Sequence, residues 1–378
     1  MPDCPGTLQN SVEGAGQHCL HLQRELTALR ETARFRQLDA SICALPTDDI
    51  RRTAWLSLDR FSTTWVSAWP SADCRVSNSE FSEIACRYFG VPSPACAPLV
   101  GQRIGNTRLT LDAYGSRLTT ASLPGDGYRT QHDAIKWRLA EDLHEMGVRV
   151  RTEVYGLFAA VLPQAAHDEL SRWPARKRQG MVPDFAIALP EHGQSPTLAQ
   201  DELFELKTLH HGISTYPGSL ASRCGAVNRR SDALPAEAAA KARLLDTRHC
   251  RTPEGETGPV SRRLAAYGPV RGLVFGHWAE ASSNVQSLLS GCAHAGSLKH
   301  WIGMRARDPA DAIGPLAWVL RRRWGMTAWR SAARLLLDRL EYVGRGSEAA
   351  RARRIVAAES AAAARRDAHW LFRRARYA

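Results

Sequence analysis

The chain has 378 residues and a formal net charge of +12, from 50 basic and 38 acidic side chains, and only five of the basic residues are lysine (Lys136, Lys177, Lys207, Lys241, Lys299). That length secures a buried core and suggests more than one domain, and an apolar content of 44% excludes general disorder. No apolar run approaches the roughly 18–20 residues of a membrane span, and Met1-Pro2-Asp3-Cys4-Pro5 lacks the basic and apolar regions of a secretory signal; an intracellular chain without a membrane partner is expected, nuclear if the source is eukaryotic.

Residues 1–44 carry one amphipathic stretch (Leu20, Leu22, Leu26, Leu29) and read as a loosely attached arm. Residues 45–125 read as a helical module. Ile50, Trp55, Leu58, Phe61 and Trp65 recur at helical spacing from Asp48 to Trp69, and a second helix from Ser79 is closed by Gly90. An α/β core spans 126–280. A helix over 130–146 gathers Ile135, Leu139, Leu143 and Met146 within about 80° of one another, with His132 and Asp142 on the same face. Val148–Val161 alternates like strands, Val182–Leu189 and Leu203–Leu209 are short strands, and Leu234–Arg248 is a helix with Leu234, Ala238, Lys241 and Leu245 on one stripe. Val270–Phe275 is a buried strand, giving the order α-β-β-β-α-β. Residues 281–378 are helical, interrupted near Pro309, Pro315 and Gly325, and end in an Arg-rich extension.

Nine scattered cysteines with no Cys-x-x-Cys pair argue against both a disulfide framework and a zinc site. The positive balance suggests a polyanionic partner, because Lys and Arg that neutralise phosphates release counterions on binding. An arginine-biased, solvated surface is the other reading. In residues 345–378 nine arginines face three acids, so this segment either tracks a nucleic-acid backbone or is a solvated terminal helix. Trp318, Trp324 and Trp329 are expected in the core.

Chemistry concentrates in Val182-Pro183-Asp184-Phe185 and Phe204-Glu205-Leu206-Lys207-Thr208. A side-chain period of two places Glu205 and Lys207 on one face of their strand. If the neighbouring strand brings Asp184 to the same edge, two carboxylates and an ammonium converge, as a metal-dependent phosphodiesterase requires. Paired carboxylates suit Mg²⁺, or Mn²⁺; the metal can lower the pKa of an attacking water, and a lysine can stabilise developing charge. A chain with so few lysines has little compositional reason to place one here, and an ammonium does not interchange with a guanidinium fork.

On these motifs residues 129–275 resemble the PD-(D/E)xK nuclease superfamily, and more narrowly the restriction-endonuclease-like domain of site-specific non-LTR retroelements. The corresponding segments are Arg129-Thr130-Gln131-His132-Asp133, Pro183-Asp184, Glu205-Leu206-Lys207 and Lys241. The opening element departs from the family pattern in having two residues between Arg129 and His132. Upstream, Ser79–Pro92 resembles the helix and Leu-Gly-Leu-Pro segment of such elements. Leu111-Asp112-Ala113-Tyr114-Gly115-Ser116-Arg117 keeps the frame of their zinc knuckle, with arginine where histidine should stand, so no zinc is expected. The polymerase signature Tyr/Phe-x-Asp-Asp is missing.

The resemblance implies a metal-dependent DNA endonuclease with Asp184 and Glu205 as metal ligands and Lys207 assisting the attacking water. Its partner is DNA, with RNA as the other candidate. The alternative is a catalytically inactive, domesticated nucleic-acid-binding remnant. His132 is either a site residue or a satisfied core histidine. Lys241 on an apolar stripe is favoured for the site, since a buried unpaired ammonium is costly. Asp142 is expected in a salt bridge rather than as an extra catalytic acid. Glu153 is either a supporting acid or solvated, and His210-His211 either touches substrate or is exposed and idle.

Overall fold

The computed structural model describes residues 22–344 apart from 69–70, 72–73, 125–126, 155–156, 159, 165–181, 190–199 and 219–221. The start of the arm and the Arg-rich segment from 345 onward lie outside these residues. Among the described residues, ten α-helices surround a four-stranded mixed sheet. The helices are α1 (Leu22–Cys43), α2 (Ile50–Ser57), α3 (Thr64–Ser67), α4 (Asn78–Phe89), α5 (Ser116–Thr120), α6 (Gly127–Glu145), α7 (Gly225–Cys250), α8 (Pro259–Ala265), α9 (Ser283–His300) and α10 (Pro309–Arg339). The strands are β1 (Arg149–Thr152), β2 (Phe185–Ala188), β3 (Glu202–Thr208) and β4 (Arg271–Phe275). No described helix is long and apolar enough to cross a membrane.

The strands lie in the order β1-β2-β3-β4. β1 and β3 flank β2 antiparallel, and β4 runs parallel to β3 after the α7–α8 crossover, as a parallel pair requires. The sheet separates two helical layers. Phe185, Ile187, Phe204, Leu206, Leu273 and Phe275 join the main core with Ile135, Leu139 and Leu143 of α6 and with α9 and α10. On the other face, Ala186 and Leu203 meet Ala242, Leu245 and Val260 of α7 and α8.

The upstream helices share this core rather than packing apart from it. Ala54, Phe61 and Ile84 belong to the main cluster, Trp278 Nε1 donates to Arg87 O at 3.1 Å, and the Ala281 N–H donates to Asp59 Oδ2 at 3.0 Å. Asp59 is also why the expected Asp48–Trp69 helix is two helices. Its Oδ1 accepts the N–H groups of Phe61 and Ser62, both at 2.8 Å, a local alternative to the helical ladder. α4 has a capping box between Ser77 and Glu80 and ends at Gly90 in the left-handed region, as its sequence suggests.

Four further sequence expectations need correction. Among the described residues the alternation over Val148–Val161 yields only β1, because Glu153 adopts φ 48° and turns the chain; Val154, Leu157, Phe158 and Leu162 still bury, in the cluster under α7. α7 begins at Gly225, nine residues before the expected start at Leu234, and runs through Pro235. The proline frees the Ser231 carbonyl from its helical bond at the point where α7 lies against Gly272 of β4. α10 runs unbroken across Pro315 and Gly325; a Cβ on Gly325 would meet Phe61 O at 2.8 Å, so this glycine permits close packing. Of the three tryptophans, Trp324 and Trp329 are core, but Trp318 is 43% exposed, under the Arg322 guanidinium 4.5 Å from its ring centroid.

The knuckle-like segment folds through other means. Asp112 accepts the N–H groups of Tyr114, Ser116 and Arg117 at 2.7–3.1 Å. Cys96 is buried with Leu99, Ile104, Leu111 and Leu336, where burial pushes its thiol up to about 12.

Candidate active site

The two acids and the lysine come from neighbouring antiparallel strands. The last β2–β3 pair is Phe185–Phe204, and Asp184 stands one residue outside it. Where backbone pairing with β3 stops, the Asp184 carboxylate replaces it, Oδ2 accepting the Leu206 N–H at 2.8 Å. The two residues that follow β1 hold the other side of this turn. The Glu153 N–H donates to Asp184 O at 2.9 Å, and the Val154 N–H to Pro183 O at 3.1 Å.

On β3, Lys207 Nζ donates to Glu205 Oε1 at 2.5 Å. Burial raises the Glu205 carboxyl above its ordinary range, and the Asp184 charge raises it further; Lys207 and Lys241 oppose the shift. Two acids are thus close enough to repel, with a lysine bonded to one of them. Asp184 Oδ1 and Glu205 Oε2 are not used in the bonds just described.

His132, in the first turns of α6, approaches from the other side of the edge. Its Nε2 lies 3.4 Å from Asp184 Oδ2 and its Nδ1 3.2 Å from Asp133 Oδ1. Burial by itself would lower the imidazole, but the carboxylates of Asp184 and Asp133 outweigh it, and the ring sits above its ordinary value. His132 touches the carboxylate that the motif singles out.

Lys241 is not on the buried stripe. It is exposed, because α7 at this height overhangs a cleft instead of the core. Glu205, Glu237, Lys241, Phe158 and Pro183 line that cleft, so Lys241 does face Glu205. Glu237 is held by both terminal nitrogens of Arg230.

The remaining candidates disperse. Asp142 is fully buried and accepts from Arg323 Nη1 and Trp324 Nε1, each at 2.9 Å, which makes it a strut between α6 and α10. His210 packs on Tyr128 with ring centroids 5.0 Å apart and is driven down to about 3, first by burial and then by Arg87 and Arg339. His211 Nδ1 lies 2.9 Å from Ser116 Oγ. His211 ties the end of β3 to the helical module and His210 ties it to α6, so neither is an idle loop residue. Arg129 is mostly exposed, with Nε 3.4 Å from Asp133 Oδ2.

One residue with a place here escapes sequence reasoning. Lys136 of α6 is buried, 2.7 Å from Glu153 Oε1 and 3.0 Å from Asp133 Oδ1. The available signal was its rarity and its position one turn after His132.

The donor set can be weighed against the implied cation. No cluster of three or more His, Cys, Asp or Glu gathered to hold a metal occurs among the described residues. A cation here would therefore take two carboxylates and complete its shell with water and phosphate oxygens, which fits hard Mg²⁺ or Mn²⁺; a structural zinc would need four protein ligands. Set against protein-family models, curated proteins and solved structures, the chain matches none.

Proposed function

We propose that the chain is a metal-dependent DNA endonuclease, hydrolysing phosphodiester bonds on a core of PD-(D/E)xK type. The observation that carries this reading is the convergence of Asp184, Glu205 and Lys207 at one sheet edge, with Lys207 Nζ on Glu205 at 2.5 Å and the Asp184 charge raising the Glu205 carboxyl. The element order around it, one helix, three strands, a helical crossover and a parallel fourth strand, is the one the resemblance implies.

Asp184 and Glu205 would hold Mg²⁺ or Mn²⁺. The ion, when bound, neutralises charge on the scissile phosphate and acidifies a water. The chain's own groups do the rest. Lys207, with its side chain 35% exposed, can turn from Glu205 to a phosphate oxygen and donate to the charge that grows there as water adds and the ester oxygen leaves. Lys241 supplies a second positive charge on the cleft side. His132 steadies Asp184 through Nε2. The bond from Leu206 N–H fixes the same carboxylate against rotation, which limits the reorganisation needed on binding.

The test is nicking of supercoiled plasmid with Mg²⁺ or Mn²⁺. Chelator should abolish it, and Asp184→Ala, Glu205→Ala and Lys207→Ala should each reduce it by about a hundredfold or more. Equal residual activity in all three variants and the unaltered chain would refute these roles. Salt-sensitive DNA binding without metal-dependent cleavage would leave the alternative, a binding protein that has lost catalysis.

A further inference from the structure

Lys136 is an ammonium inside the protein, its side chain only 3% exposed, and it touches neither acid of the proposed metal pair. It reaches two other carboxylates, Glu153 Oε1 at 2.7 Å and Asp133 Oδ1 at 3.0 Å. Each of these leads to Asp184. Glu153 has φ 48°, a left-handed conformation that side-chain-bearing residues rarely adopt, and its backbone N–H donates to Asp184 O at 2.9 Å. Asp133 Oδ1 lies 3.2 Å from Nδ1 of His132, whose Nε2 faces Asp184 Oδ2.

A strained conformation persists only where its surroundings over-determine it. The bond from Lys136 to the Glu153 side chain is one such restraint, beside the bond from the Glu153 N–H to Asp184 O. We propose that Lys136 is a positioning residue for the metal-binding carboxylates: it holds Glu153 in the left-handed turn that sets the Asp184 backbone, and holds Asp133 against the imidazole that faces the Asp184 side chain. This rests on the nuclease reading of Asp184 and Glu205, and it gives a purpose to a buried lysine that stability alone does not require, since a buried ion pair is often no better than an apolar pair of the same volume.

The sign of one electrostatic effect separates positioning from simple charge. Removing an ammonium from beside carboxylates should, by Coulomb's law alone, tighten the binding of a cation nearby. Displacing Asp184 should loosen it. The experiment is calorimetric titration of the full chain with Mn²⁺ alone, alongside plasmid nicking and thermal unfolding. Lys136→Met is expected to weaken Mn²⁺ binding by about tenfold, the scale for residues supporting metal ligands, and to slow nicking in parallel.

The Glu153 position gives a second test, independent of whether Lys136→Met folds. Glu153→Ala and Glu153→Gly remove the same charge, but only glycine accepts φ 48° freely. Glu153→Gly should therefore bind Mn²⁺ more tightly than Glu153→Ala, and Lys136→Met/Glu153→Gly should recover affinity over Lys136→Met. Unchanged or tighter Mn²⁺ binding in Lys136→Met, or identical affinities for the alanine and glycine variants, overturns the proposal while leaving the nuclease reading intact. An unaltered chain that neither binds Mn²⁺ nor nicks DNA overturns both.

Discussion

Asp184 lies one residue beyond the Phe185–Phe204 pair and accepts the Leu206 N–H at 2.8 Å, so one carboxylate both ends the β2–β3 ladder and belongs to the candidate site. The two roles can be separated by substitution. Asp184→Asn keeps an acceptor for Leu206 but loses the charge, whereas Asp184→Ala loses both. Nicking should fall to background in each. Stability should not fall alike: the alanine variant leaves a strand N–H without its partner, a cost of about 1–3 kcal/mol, and the asparagine variant should stay close to the unaltered chain. Urea unfolding of the pair provides the check, and equal losses would deny Asp184 its structural half.

Asp142 makes the opposite case, an acid on the first core helix whose bonds run to α10 and not to the candidate site. It is buried against Arg323 and Trp324. Removing one member of a buried ion pair strands its partner, so Asp142→Ala should cost about 3–5 kcal/mol. The loss should be less if Glu145, 2.8 Å from Arg323 Nη1, takes up the guanidinium. Below the melting temperature, nicking per folded molecule should be unaffected. A selective loss of cleavage with stability intact would return Asp142 to the list of catalytic acids.

What could be read from the sequence follows the range of the forces involved. The α6 stripe of Ile135, Leu139 and Leu143 and the closing Gly90 are set by neighbours within a few residues, and they stand as read. The β1 boundary is not of this kind. Val150, Thr152 and Val154 alternate well, and the strand ends at the Glu153 turn, whose side chain is bonded from α6 by Lys136. The expected α7 start at Leu234 fails for the same reason: Pro235, a helix breaker by local rule, sits within α7, where tertiary packing on β4 outweighs it. For the candidate site, the strand period finds Glu205 and Lys207, and the Pro-Asp pair finds Asp184. Lys136 and the outward turn of Lys241 depend on where α6 and α7 dock, which no local pattern encodes.

Gly272 is where α7 docks. A Cβ there would lie 2.7 Å from Leu234 Cδ1 and 2.9 Å from the Ser231 carbonyl oxygen, which Pro235 leaves outside the helical ladder. Backbone cannot yield as a side-chain tip can, so Gly272→Ala should push α7 away from β4 at a cost of about 1–3 kcal/mol. Because α7 also carries Lys241 over the cleft, nicking should drop beyond what the loss of folded protein explains. Thermal melts with activity assays at low temperature measure both effects, and an unchanged melting temperature would contradict the close approach.

The pH dependence of stability should be dominated away from the candidate site, by Glu280. This carboxyl is fully buried, accepts the Tyr216 hydroxyl at 2.7 Å and the Trp278 N–H at 2.9 Å, and is pushed up to about 8, chiefly by burial and further by Asp59. A carboxyl raised above its unfolded value of 4.5 means that the folded chain holds the proton more tightly. Its contribution is complete below the unfolded value and is lost as pH rises through about 8. The loss proceeds at up to about 1.4 kcal/mol per pH unit. Glu280→Gln preserves the shape and an acceptor for Tyr216 without the titration, so its stability should vary less between about pH 5 and 8 and exceed that of the unaltered chain at the alkaline end. Urea midpoints measured across that window decide the matter: parallel profiles for the two proteins would mean that Glu280 is already ionised in the fold.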